Sequence, residues 1–212
     1  MTSTETDGRR IRGQQRYALV LDAAVELVQR DGLPALTTRA LAAAAHVSLA
    51  SITYHFPTRA DLVLATCTEA ARRDIAATHD ILDRLRTVLD PATVTPTQLA
   101  DAWLHELTAP GGRIMSVFTL YLEVARQPEL AAVAAAWSAG TRDALAAMLT
   151  EFGVAQPLSA AAVLGSALDG LRLPLLAHPD TAPTAQDRAD LILLFSWVLG
   201  RDTAPDPRSA PK

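Results

Sequence analysis

Two helix-start signals stand eleven residues apart, and they constrain the fold more than any other feature of the sequence. The first is Leu36-Thr37 with Leu41, and the second is Val47-Ser48 with Ile52. In each, a hydroxyl residue can cap the free N–H groups of a first helical turn. The apolar residue before the cap pairs with one a turn further on as a staple. The second signal follows so soon that the first helix must end near Ala45 and turn at once. Two short helices joined by a tight turn, here Thr37 to Phe56, form a helix-turn-helix unit. Leu41, Ala45, Val47, Ile52 and Phe56 supply a small shared core, and Ala42 to Ala45 let the helices cross closely. His46 falls in the turn, where a left-handed backbone is expected, and His tolerates that better than most residues. The outward positions of the second helix are Leu49, Ala50, Thr53 and Tyr54, none of them charged.

The rest of the chain keeps the same helical period. Alanine (41) and leucine (31) fill about a third of the 212 positions, and β-branched residues never alternate over long runs, which favours helix over sheet. Tyr17, Leu21, Ala24 and Leu27 form one stripe that Gly32 closes. Thr58-x-x-Asp61 caps a long helix to about Leu89. Thr95-Pro96-Thr97-Gln98 opens the next, with proline at the first helical position and a capping-box glutamine. The spacing predicts further helices over 96–108, 112–126, 128–152, 158–177 and 185–200. The expected class is all-α with nine helices: a disordered arm over 1–8, a three-helix unit over 9–57, a larger helical domain over 58–202 and a disordered tail over 203–212.

Net charge hides an asymmetry. The chain carries −4 overall, but residues 9–60 hold seven Arg against Asp22, Glu26 and Asp31, a net of +4, while residues 61–212 carry −6. A basic N-terminal unit on an acidic body is the distribution expected when one end meets phosphate. The single cysteine, Cys67, excludes an internal disulfide framework and a multi-cysteine zinc site, and it has no His or Lys neighbour in sequence to activate it. The five histidines, at 46, 55, 79, 105 and 178, show no metal-binding spacing, and no glycine-rich phosphate loop is present. Neither catalysis, a cofactor nor a metal is therefore expected. The start has no signal-peptide core, and the long uncharged run Phe152 to Leu168 is broken by Gly153 and Pro157, so no membrane partner and a cytoplasmic location are expected.

The run Leu36-Thr-Thr-Arg-Ala-Leu-Ala-Ala-Ala-Ala-His-Val-Ser-Leu-Ala-Ser-Ile-Thr-Tyr-His-Phe56, followed by Pro57-Thr-Arg-Ala-Asp-Leu62, resembles the DNA-binding domain of TetR-family regulators over roughly residues 12–66. Three positions depart from the family pattern: its usual turn glycine is His46, its recognition-helix glycine is Ala50, and its tyrosine is Thr53, with Tyr54 beside it. The resemblance implies contacts with double-stranded operator DNA from Thr37, Thr38 and Arg39 at the start of the second helix. It implies others from Ser48, Leu49, Ala50, Ser51, Thr53, Tyr54 and His55 on the third, and from Arg59 at the start of the fourth. Arg39 is the side chain that can grip a guanine edge bidentately. Arg9, Arg10 and Arg12 would add salt-sensitive affinity.

The resemblance also implies a homodimer. Its expected face is Leu164, Leu168, Leu171 and Leu175 on one helix with Leu191, Leu194, Phe195 and Val198 on the last, which is apolar on nearly every side. Large side chains concentrate in the middle helices, and Trp103, Met115, Phe118, Tyr121 and Trp137, with His79 among the polar anchors, are the expected walls of a pocket for a small effector. Together these describe a one-component transcriptional regulator, usually a repressor. It would bind a palindromic operator as a dimer and leave it when a small, largely apolar ligand binds. The alternative is a helical small-molecule-binding protein that has lost sequence-specific DNA binding.

Overall fold

The computed structural model of the protein describes residues 3–108, 122–123, 127–177 and 182–200, and among these there is no strand. The α-helices are α1 (Ser3–Asp31), α2 (Thr38–Ala44), α3 (Leu49–His55), α4 (Arg59–Val88), α5 (Pro96–Thr108), α6 (Ala131–Glu151), α7 (Pro157–Ala177) and α8 (Ala185–Leu199), with short 3₁₀ turns at Leu33–Ala35 and Pro128–Leu130. The helix expected over 112–126 lies outside the described residues apart from helical Leu122 and Glu123. The tail expected over 203–212 lies outside them entirely. α1 is helical from Ser3, within the segment expected as an arm over 1–8. No described helix is long and apolar enough to cross a membrane.

The chain forms two compact units, one of Met1–Asp74 with Met115–Trp137 and the other of Ile75–Ile114 with Ser138–Lys212. This division falls inside α4. The reason is burial, because the first half of α4 sinks Leu62, Val63, Thr66, Cys67 and Ala71 into the first unit. That unit also buries Val20, Ala24, Val25 and Leu27 of α1, with Leu33, Leu36, Leu41, Ile52 and Phe56. Arg73 ties α4 to α1 by donating to Asp22, and it also donates to Glu69 of its own helix at 2.7 Å.

In the second unit one continuous core runs from Leu82, Leu85 and Leu89 through Leu99 and Trp103 to Leu145, Met148, Leu149, Phe152, Leu164, Leu168, Leu191 and Phe195. Ion pairs cross its rim, with Arg84 on Glu106 at 2.5 Å, Arg86 on Glu151 at 2.9 Å and Arg188 on Asp101 at 2.6 Å. A Cβ at Gly140 would lie 2.6 Å from Ile75 Cδ1, so that side chain would have to shift to admit one.

The residues expected to form a dimer face lie on α7 and α8. Leu164, Leu168, Leu191, Leu194 and Phe195 are buried in the unit's own core, Leu171 and Val198 are partly buried against it, and the Leu175 side chain lies outside the described residues. The apolar side chains that α7 and α8 leave exposed are Leu158, Val163, Leu173, Leu193 and Trp197, the last 72% exposed. A helix apolar on all sides does not announce which side its own chain will cover.

Candidate nucleic-acid interface

The helix-turn-helix is built from local polar contacts. The Thr37 hydroxyl accepts the Ala40 N–H at 3.1 Å and the Ser48 hydroxyl accepts the Ser51 N–H at 3.2 Å, so both expected caps are made. Between them α2 ends in a left-handed residue, His46, at φ 54°. The Val47 N–H returns to the Ala42 carbonyl at 3.0 Å and the His46 N–H to that of Ala43 at 3.3 Å. This is the Schellman pattern, which satisfies the last helical carbonyls and reverses the chain, normally with glycine at the left-handed position. Thr58 and Asp61 form a reciprocal cap on α4: Asp61 accepts the Thr58 N–H at 3.0 Å while the Thr58 hydroxyl accepts the Asp61 N–H at 3.1 Å.

These caps fix a surface. Thr37, Arg39, Ser48, Leu49, Ala50, Thr53, Tyr54 and Arg59 are exposed, Tyr54 by 82%, while Thr38, Ser51 and His55 are half-buried and Ile52 and Phe56 are buried. α3 therefore presents an uncharged, mixed apolar and hydroxyl face. The Thr53 hydroxyl donates to the Leu49 and Ala50 carbonyls, both at 3.2 Å, so it is committed to its own helix. The Arg59 guanidinium donates to the Leu36 carbonyl at 3.4 Å, linking the start of α4 to the entry of α2. Tyr17 of α1 lies under the end of α3, stacked on Phe56 and edge-on to His55, with both ring centroids 5.5 Å away. Tyr17 was legible only as part of an apolar stripe, and its role in seating α3 was not.

Residues 20–66 match the family model described as bacterial regulatory proteins, tetR family, and residues 94–196 match that described as tetracyclin repressor-like, C-terminal domain. The two matches fall on one chain, in the order and at the lengths the fold requires. The chain belongs to the TetR family.

Solved relatives agree. The multidrug binding protein EbrR complexed with proflavin is 31% identical, with 84% of this chain and 99% of that chain covered and a TM-score of 0.60. A member of the TetR family from Streptomyces coelicolor is 29% identical, with 84% and 97% covered and a TM-score of 0.63. A transcriptional regulator from Rhodococcus sp. is 22% identical over 89% of this chain and 98% of that one, at a TM-score of 0.66, and shares the fold. No curated protein matches the chain. TetR-family regulators are DNA-binding proteins with a ligand-binding domain, and they are typically not enzymes.

In this TetR-family chain the side chains of three expected pocket residues, His79, Trp103 and Trp137, are among those described. Trp103 is buried in the core of the second unit, and Trp137 is buried in the first. The Trp137 indole N–H donates to Asp74 Oδ2 at 2.9 Å. The His79 side chain is exposed, and Met115, Phe118 and Tyr121 lie outside the described residues. Cys67 is buried, and desolvation, with a smaller effect from Glu123, pushes its thiol up to about 11. The thiol is thus held in its unreactive form.

Proposed function

We propose that this chain is a homodimeric, one-component transcriptional regulator that binds a palindromic duplex operator through α3 and leaves it when a small ligand binds. The observation that carries this reading is the face of α3. It is exposed, uncharged and anchored by two made caps, and it is bracketed in sequence by Arg39 and Arg59 in the basic part of an acidic chain. An uncharged helix face enters the major groove without phosphate repulsion, and guanidinium groups beside it meet base edges and backbone.

The roles divide by chemistry. Arg39 grips a guanine edge, and Leu49 and Ala50 meet thymine methyl groups. Thr53, its hydroxyl already used, contributes its methyl. Tyr54 and His55 reach phosphate, and Thr37, Thr38, Ser48, Ser51 and Arg59 hold the backbone. The two copies meet through Val163 and Leu173 of α7 with Leu193 and Trp197 of α8, four of the apolar side chains those helices leave exposed. The ligand is small and largely apolar. Aromatic cations are the first candidates, because EbrR has been solved with proflavin and with ethidium.

The test is a gel shift with the duplex upstream of the chain's own gene at two salt concentrations. Each phosphate contact steepens the fall of log affinity with log salt by roughly 0.9. Saturable binding that competitor DNA does not remove supports the regulator. Absence of a shift at both salts, from a folded dimer, leaves a helical ligand-binding protein that no longer reads DNA. Dye binding belongs on the free protein, because planar cations also insert between base pairs.

A further inference from the structure

We propose that Arg73 and Asp74 form a two-sided clasp on α4. Arg73 holds α1 through Asp22, Asp74 holds α6 through the indole of Trp137, and the clasp transmits a displacement of Trp137 to the helices that read DNA. The inference rests on the reading of the chain as a DNA-binding regulator and names the residues through which α3 is positioned.

All of these residues lie in the first compact unit. Successive residues of an α-helix point about 100° apart, so neighbours such as Arg73 and Asp74 reach different partners from one turn. On one side, Arg73 donates to Asp22 of α1, 51 residues earlier in the chain. Its Nε donates to Glu69 at 2.7 Å, which sets the guanidinium for that reach. On the other side, Asp74 Oδ2 accepts the Trp137 Nε1–H at 2.9 Å. Trp137 is only 4% exposed, so a displacement that breaks this bond leaves an indole donor without water to replace it. The two holds are adjacent in sequence, and α4 joins them rigidly.

From Asp22 the contacts continue to α3. Tyr17 lies five residues earlier on α1, and its ring touches His55 and Phe56 at the end of α3, both at 5.5 Å. The route Trp137, Asp74, Arg73, Asp22, Tyr17, His55 thus consists of direct contacts and helix backbone throughout. Contiguity alone does not establish coupling, and the test measures it.

Two arms test the clasp in the full-length protein. In the first, amide hydrogen exchange is followed on the DNA-free protein for Trp137→Phe, which keeps an aromatic ring and removes the N–H. Exchange in α1 around Tyr17 to Glu26 is expected to rise ~3-fold or more relative to wild type, with α8 unchanged. A rise confined to α4 and α6 overturns the proposal. In the second, binding to the upstream duplex is measured for Trp137→Phe, Asp22→Asn and the double variant. Residues in one network are expected to deviate from additivity by ~3-fold or more. Additive effects overturn the clasp. If the wild-type chain does not bind that duplex, the DNA-binding reading falls while the exchange arm still decides the clasp.

Discussion

The unit that carries α2 and α3 and the unit built on α5, α7 and α8 are specified by opposite means. The two seven-residue helices are too short to be stable by propensity, since nucleation costs more than so few hydrogen bonds return. They exist because Thr37, Ser48 and the Schellman turn at His46 satisfy their ends, and because Leu41, Ile52 and Phe56 bury one residue or two each. The helices of the second unit are two to three times longer, nearly featureless in charge along their apolar stretches, and held by a broad core. Local polar chemistry fixes the first region to within a residue. Apolar burial fixes the second, and it is indifferent to which of several leucines does the work. That difference tells where a single substitution should act through folding and where through function.

The largest expected effect is in the broad core. Phe195→Ala removes a ring that is 1% exposed and should cost about 3–5 kcal/mol of stability, read as a fall in the urea midpoint. On the same helix, Trp197→Ala should change folding of a single copy by no more than ~0.5 kcal/mol, because its ring is exposed. It should instead shift mass by light scattering toward one copy. Similar stability losses for both variants would erase the distinction between the core face and the exposed face of α8.

Next in size is Arg39→Ala. Operator affinity should fall by roughly 1–3 kcal/mol with the thermal midpoint unchanged, because the side chain is exposed and a bidentate base contact is worth that much. Isothermal titration and a melting curve on the same preparations decide it. A large stability loss would place Arg39 among the structural residues instead.

Smaller again is Ser48→Ala, which should lower stability by about 1 kcal/mol through loss of the α3 cap. Hydrogen exchange should rise in residues 49–56 first. An equal loss spread over α7 and α8 would contradict the local character of the helix-turn-helix.

The smallest effect is a pH dependence. Arg72 and then Arg73, by hydrogen bonds, hold the Glu69 carboxyl down at about 2, against an ordinary value near 4.5. A group whose folded value is depressed contributes stability above its unfolded value, and loses it as pH falls toward the folded value. The contribution of Glu69 is therefore complete above about pH 4.5 and fades between there and about pH 2. Urea midpoints of wild type and Glu69→Gln should differ at pH 6 and converge near pH 2. A gap that persists at pH 2 would mean that Glu69 acts by packing rather than by charge.

Much of this was legible before any coordinates. The caps at Thr37, Ser48 and Thr58, the glycine after α1 and the left-handed turn at His46 are written in neighbouring residues, because a helix end must satisfy its own N–H and C=O groups with whatever lies within a few positions. The outward face of α3 follows from those caps by helical period alone. The Asp22–Arg73 and Asp74–Trp137 contacts were not legible, since each spans 51 or more residues and no local pattern selects one carboxylate over the many others.

The sequence by itself determined that the chain is helical, that a capped helix-turn-helix opens it and which side of α3 faces outward, all properties set by interactions over a turn or two. Only the tertiary structure decided that Leu164, Leu168, Leu191 and Phe195 belong to the chain's own core while Val163, Leu173, Leu193 and Trp197 stay exposed. It also placed the division between units inside α4. Burial free energy depends on area and not on identity, so a stripe of leucines on every side of a helix leaves the choice of inner face to the partners that pack against it.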